Sequence, residues 1–259
     1  MELGIQGRNA IVCASSRGLG KACAVSLAQA GVNLVINGQN TDNLTGTAEE
    51  LSAFGVSVTP VAADVSTREG QRKLLDACPN PDILINNNGG PPYKDFRELS
   101  RDDMLNGVTM NMVTPIELIQ AVINGMCERQ FGRIVNITSV SVRMPVLGLD
   151  LSSGARAGLT AFLAGVARSV AHKNVTVNHI QPGFFNTDRF RAGIKANAAT
   201  LGKGEDEMLH ERNQQVPAKR IGNPAEFGDA CAFLCSAQAG YITGQSLLLD
   251  GGMYNSAFG

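Results

Sequence analysis

Residues 9–31 read NAIVCASSRGLGKACAVSLAQAG, and this stretch decides the fold. Residues 9–14 are a short apolar run that gives way to the turn-forming segment Ser15-Ser16-Arg17-Gly18. From Leu19 onward the apolar residues recur at helical spacing until Gly31 stops them. The stretch therefore reads as strand, tight turn, helix. The pattern then repeats, with strands at 32–36, 57–62, 83–85, 133–137 and 175–180 and helices at 42–54, 69–77, 101–129 and 154–171 between them. Asn223-Pro224 opens a further helix reaching residue 236, and residues 246–249 form a last strand before Asp250-Gly251-Gly252. Strands that alternate with helices require right-handed crossovers. The expected fold is thus α/β: a doubly wound, mainly parallel sheet of about seven strands, with helices on both faces.

Residues 186–217 break the rhythm. They are more polar, contain Gly193, Gly202 and Gly204, and mix both charge signs, so a mobile insertion over the sheet edge, on the substrate side, is expected there. No repeat, low-complexity tract or linker divides the 259 residues, and a single domain spanning 1–259 is the economical expectation.

Composition narrows the function. At 44% hydrophobic and 17% charged residues the chain has material for a substantial core, which excludes disordered and collagen-like classes. Lys and Arg (22) nearly balance Asp and Glu (23), leaving no global field to draw phosphate backbones or anionic lipid. Residues 1–8 lack a basic start followed by an apolar stretch, and no apolar run approaches the ~20 residues needed to span a bilayer. Partners are therefore expected among small molecules rather than nucleic acid or membrane. The six cysteines form no Cys-x-x-Cys pair and sit among small apolar neighbours, as reduced cytoplasmic thiols do. Cys231 and Cys235 are one helical turn apart, but no His lies nearby in sequence to complete a metal site.

In an open parallel sheet, ligands bind beyond the carboxyl ends of the strands, where helix N-termini present unpaired N–H groups to phosphate. Ala14-Ser15-Ser16-Arg17-Gly18-Leu19-Gly20 occupies that place. Two glycines in a turn are a weak signal alone. Here they follow the first strand, open the first helix and begin a series of alternating units, which is the setting of a dinucleotide cradle.

From these residues onward the sequence resembles the short-chain dehydrogenase/reductase family, whose fold is of Rossmann type. Val12 to Gly20 is similar to the family's Thr-Gly-x-x-x-Gly-x-Gly turn, with Cys13 and Ala14 replacing Thr and the first Gly. Asp64-Val65 resembles its adenine-side Asp, and Asn86-Asn87-Asn88-Gly89 its Asn-Asn-Ala-Gly after the fourth strand. Asn111 stands where the family has an Asn that organises a water or the helix backbone, and Ser139 where it has the active-site Ser. Pro182-Gly183 with Thr187 resembles the Pro-Gly-x-x-x-Thr that holds the nicotinamide carboxamide. Arg220-Ile221-Gly222-Asn223-Pro224 and residues 244–252 extend the likeness over nearly the whole chain. The resemblance implies an oxidoreductase with a nicotinamide cofactor, and a homo-oligomer, tetramer or dimer. The cofactor-binding residues it implies are Ala14, Ser16, Arg17, Gly18, Leu19, Gly20, Asn37, Asp64, Val65, Asn87, Gly89, Arg156, Pro182, Gly183 and Thr187.

Charge argues for the form of the cofactor. An acid near the end of the second strand would bond the adenosine ribose and repel a 2′-phosphate, but that stretch reads Ile36-Asn37-Gly38-Gln39-Asn40. Arg17 instead offers a guanidinium able to meet a phosphate with two hydrogen bonds. NADP is expected, with NAD the lesser alternative.

The resemblance fails at one place. The family carries a Tyr thirteen residues after the active-site Ser and a Lys one helical turn beyond it; counted from Ser139, these positions hold Ser152 and Arg156. An alkyl hydroxyl is a far weaker acid than a phenol with its reference pKa of about 10, and a guanidinium does not release its proton at ordinary pH. Loss of general acid–base help typically costs about 10²–10⁴ in rate. Tyr93, on the loop leaving the fourth strand, is a candidate replacement acid, whereas a loop aromatic is the plainer reading. Asp150 is a second candidate, for which capping of the coming helix is the plainer reading, and Tyr254 a third from the C-terminal tail. Tyr241 reads as structural. His172 lies near a helix end and His210 in the insertion, while His179 ends a strand close to the cleft. No Ser-His-Asp or metal constellation forms.

The candidate catalytic set is Ser139, Asn111, Ser152, Arg156 and Tyr93, for reduction of a carbonyl or an imine by NADPH with an altered proton donor. Two alternatives stay open: an inactive NADP-binding sensor or partner subunit, and a lyase or isomerase that reuses the pocket.

Overall fold

The computed structural model describes residues 2–91 and 93–257. Seven parallel strands form one sheet in the order β3-β2-β1-β4-β5-β6-β7. They are β1 (Asn9–Val12), β2 (Asn33–Gly38), β3 (Val58–Ala62), β4 (Ile83–Asn86), β5 (Gly132–Ile137), β6 (Val175–Pro182) and β7 (Ser246–Leu249). Between them run α1 (Gly18–Gln29), α2 (Thr41–Ser52), α3 (Arg68–Ala77), α4 (Arg101–Val108), α5 (Thr114–Glu128), α6 (Asp150–Val170), α7 (Asp188–Leu201), α8 (Glu205–Gln215) and α9 (Pro224–Cys235). Val12 pairs with Ile36 on one side and Ile85 on the other, so the chain reverses its direction of travel across the sheet between β1 and β4. That reversal opens a crevice at the carboxyl ends of these two strands.

The strands read as near-continuous apolar runs because both faces of the sheet are buried, and their two-residue period divides them between two cores. Ala10, Val12, Leu34, Ile36, Val135 and Ile137 pack with Cys23 and Leu27 of α1 and Phe227 and Cys231 of α9. Ile11, Val35, Leu84, Ile134 and Val177 point the other way, into Leu118, Val122 and Met126 of α5 and Leu159 and Leu163 of α6.

Several expectations change. The helix expected over 101–129 is interrupted by a π-helical turn, Thr109–Val113, between α4 and α5. The helix expected from 154 begins at Asp150, and its N-cap is Leu149, with no side-chain cap. Asp150 therefore lies inside the first turn, where its charge favours the helix dipole rather than capping it. Residues 186–217 contain two helices, α7 and α8, whose buried Ile194, Ala198 and Met208 form a small core of their own. Tyr241, read as structural, is fully exposed. Among the described residues no helix is long and apolar enough to cross a membrane. No three His, Cys, Asp or Glu side chains there are grouped to hold a metal, and Cys231 and Cys235 are buried free thiols.

Candidate active site

The turn after β1 is fixed from outside itself. Ser15 donates through its hydroxyl to Val12 O (2.7 Å) and accepts from Asn37 N (3.0 Å), while Ser15 N donates to Asn37 O (2.7 Å). The Asn37 side chain accepts from Ala14 N (3.2 Å) and donates to Val61 O and Ala63 O, so it lashes the turn to the end of β3. Both polar atoms of the Asn37 side chain are therefore engaged by the protein. Thr47 of α2 donates to Ser16 O (3.0 Å), and Asn87, after β4, donates to Ala14 O (3.2 Å).

Two residues show how tight this turn is. Ala14, in the place of the family's first Gly, holds the left-handed conformation at φ 45°, which costs an L-residue about 1–2 kcal/mol. At Gly20 any Cβ would overlap the carbonyl of Ala14, so only glycine lets α1 start there.

The N-terminus of α1 is left open. Arg17 is its N-cap, gives no side-chain cap, and no acid occupies the first turn. By contrast α2, α3, α4, α7 and α9 are capped by Asn40, Thr67, Ser100, Thr187 and Asn223. The free N–H groups of α1 and the exposed Arg17 guanidinium, which forms no ion pair among the described residues, give the crevice an anion-accepting end. Thr187 closes it from the far side, its methyl group 3.9 Å from where a Cβ on Gly18 would lie, while its hydroxyl accepts from Phe190 N (3.3 Å). Gly183 N bonds Leu249 O (2.8 Å), which holds Pro182-Gly183 against the end of β7. Asp64 is exposed and accepts from the amide and hydroxyl of Ser66 (2.9 and 2.6 Å); Val65 beside it is buried. Gly89 N donates to the Asn88 side chain (2.8 Å) at the mouth of the crevice.

Deeper in, Ser139 follows β5 and accepts from Ser141 N (3.1 Å). Ser152 and Arg156 lie one turn apart on α6, both buried. Arg156 donates from Nε to the Ser152 hydroxyl (3.2 Å) and from Nη1 to Ile137 O (2.7 Å) and Thr138 O (3.3 Å), and so clamps the backbone that delivers Ser139. Burial, and then the charge of Arg189, lower its pKa to about 10, so it remains a cation at neutral pH. Asn111 lies in the π-helical turn, donating to Gly107 O (3.3 Å) while its Oδ1 has no partner among the described residues. Arg156 and Asn111 line one small cleft with Asn86, Asn87 and Asn136. Tyr93 lines no part of it. The ring is 65% exposed and lies beside Gly148. Tyr254 sits apart near Arg143, 5.9 Å from guanidinium to ring centre.

Sequence reasoning missed a ladder of buried amides. Asn86 donates to Asn136 (2.9 Å), Asn136 to Asn178 O (3.2 Å), and Asn178 to Ile242 O (2.8 Å), crossing β4, β5 and β6 beneath the cleft. The only signal was a polar residue recurring late in otherwise apolar strands. His179 on β6 is buried, its Nδ1 has no partner among the described residues, and desolvation lowers its pKa to about 4, so it is neutral near pH 7.

A doubly wound parallel sheet with an open helix N-terminus at its switch point defines a nucleotide-binding α/β protein. The chain belongs to the short-chain dehydrogenase/reductase family: the family model described as enoyl-(acyl carrier protein) reductase matches residues 13–254. It is 34% identical over 255 residues to the 3-oxoacyl-[acyl-carrier-protein] reductase FabG of Vibrio harveyi, covering 97% of this chain and 99% of the relative. It is also 34% identical over 259 residues to the NADPH-dependent reductase BacG of Bacillus subtilis, covering 96% and 98%. Among solved structures, L-sorbose reductase from Gluconobacter frateurii, complexed with NADPH and L-sorbose, superposes with a TM-score of 0.94 at 29% identity, covering 99% of this chain and 100% of that one.

Proposed function

We propose that this chain is an NADP-dependent oxidoreductase that reduces a carbonyl or an imine of a small molecule, with a proton-transfer site altered from the family pattern. The observation that carries the reading is the uncapped N-terminus of α1 at the β1/β4 crevice, with Arg17 beside it in no ion pair among the described residues and no acid on residues 36–40. In this reading Ala14, Ser16, Gly18, Leu19 and Gly20 cradle the diphosphate, and Arg17 meets the 2′-phosphate. Asp64 and Val65 flank the adenine, while Asn87 and Gly89 line the middle of the crevice. Pro182, Gly183 and Thr187 receive the nicotinamide end. Two relatives whose names state NADPH support the choice of cofactor. Bound there, the nicotinamide supplies the hydride.

The chain's own residues orient the acceptor. Ser139 donates to the substrate oxygen, held in place because Arg156 fixes the carbonyls of Ile137 and Thr138 just before it. Ser152 accepts from Arg156, which leaves its hydroxyl proton facing away from the guanidinium and able to relay a proton from water. Asn111, which lines the cleft with Arg156 and whose Oδ1 has no partner among the described residues, accepts from such a water. The six free cysteines fit a reducing cytoplasm. Exposed Leu105, Val108, Val113 and Phe162 fit burial in a homo-oligomer.

The test is titration with NADPH and NADH, followed through the emission of the reduced cofactor, and then a screen of ketones, acyl thioesters and imines for its oxidation. Tighter binding of NADPH that Arg17→Ala reduces by about tenfold or more supports the assignment. Absence of NADPH binding would overturn it. Binding without turnover on any substrate would instead favour a sensor.

A further inference from the structure

Beside Gly90 two arginines, Arg156 and Arg189, come together, and among the described residues neither is paired with an acid. Arg156 is only 9% exposed, and its three hydrogen bonds, from Nε and Nη1, all go to uncharged partners. Its Nη2 has no partner among the described residues. That nitrogen lies 3.8 Å from the point where a Cβ on Gly90 would stand. The same point is 3.3 and 3.4 Å from the two terminal nitrogens of Arg189, on the first turn of α7. Among the described residues Arg189 gives one long bond, from Nη2 to Pro91 O (3.4 Å), and no ion pair. The nearby acids on the same helices, Asp150 and Asp188, form no ion pair with either arginine among the described residues. Two guanidinium groups thus converge on the space beside Gly90, one of them desolvated.

Such an arrangement is unfavourable empty, because like charges repel and the buried one has lost its water. The Arg189 charge is felt at Arg156, whose pKa it helps to depress. An anion between the two removes the repulsion, and planar forked donors suit a carboxylate.

We propose that Arg156 and Arg189 form a carboxylate-binding subsite, and that the substrate is a small oxo acid held there with its carbonyl toward Ser139. This rests on the oxidoreductase reading above. The carbonyl carbon takes a hydride from NADPH and its oxygen takes one proton, giving a hydroxy acid and NADP; the carboxylate stays ionised throughout. The charged substrate then completes the electrostatics of the site, which a neutral ketone or ester cannot do.

The same anion chemistry is available from the cofactor's diphosphate, and the experiment separates the two sources. Oxalate is titrated calorimetrically into the full chain, with and without saturating NADPH, for the wild type and Arg189→Ala. Arg189 is exposed, and circular dichroism checks that the variant is folded. The expected result is that oxalate binds in both conditions and that Arg189→Ala weakens it by about tenfold or more. Equal oxalate affinity in the variant, or displacement of oxalate by NADPH, would overturn the subsite. In steady state, acetoacetate is compared with methyl acetoacetate. Arg189→Ala should raise KM for the acid by about tenfold while changing KM for the ester far less; an equal effect on both would also overturn it. If NADPH neither binds nor is consumed, the oxidoreductase reading fails separately, and the oxalate arm without cofactor still decides whether the arginine pair holds an anion.

Discussion

Replacement of Arg156 by Met tests the joint on which the site depends. The side chain keeps its length and apolar stem but loses the guanidinium, and with it the bonds to Ile137 O (2.7 Å), Thr138 O (3.3 Å) and Ser152 (3.2 Å). Hydrogen bonds to charged groups contribute about 1.5–3 kcal/mol each at good geometry, and only the first of these three is short. Against them stands the expense of holding a charge in the interior. A pKa lowered from 12.5 to about 10 corresponds to roughly 3 kcal/mol at about 1.4 kcal/mol per unit. Three bonds less that penalty, with two strand carbonyls left short of a donor, give an expected destabilisation of about 2 kcal/mol. For a chain of this size that lowers Tm by about 4–8 °C. The chain has no Trp, so urea unfolding is best followed by far-UV circular dichroism, with the m-value checked for constancy. A variant as stable as the wild type, or more stable, would show that desolvation outweighs the clamp and would refute the claim that Arg156 holds the end of β5.

Three further outcomes are expected. His179 is neutral when folded, with a pKa of about 4 against 6.5 for the free side chain; its contribution is therefore intact above pH 6.5 and lost as pH falls toward 4, by up to about 3 kcal/mol. His179→Gln should flatten that part of the pH–stability curve, and an unchanged slope would show that other groups set it. Gly20→Ala should weaken NADPH binding by tenfold or more, roughly the result of forcing open a turn whose overpacking costs about 1–3 kcal/mol, as equilibrium titration would read. Tyr93→Phe should leave turnover unchanged because the ring lies outside the cleft; a fall of about 10²-fold, as for loss of a general acid, would return Tyr93 to the mechanism.

The sequence by itself determined the sheet. Apolar runs such as residues 10–12 and 83–85, spaced by helical periods, already require parallel strands covered on both sides, because a strand buried on two faces has no polar side to show. It also placed the glycine turn and Ser139 at strand ends, and it showed that Ser152 and Arg156 stand one helical turn apart. Helix boundaries were less legible. The π-helical turn at Thr109–Val113 leaves the apolar spacing almost unaltered, so periodicity runs through it. Residues 186–217 looked polar because α7 and α8 bury only a thin stripe. What only the tertiary structure decided are the contacts between distant residues: Asn37 turned inward to lash β3, the ladder from Asn86 to Asn178, the grip of Arg156 on β5, and the meeting of Arg156 with Arg189 beside Gly90. Local pattern reports neighbours along one strand or helix face, whereas these pairings arise from strand order and helix placement, which bring together side chains that share no period.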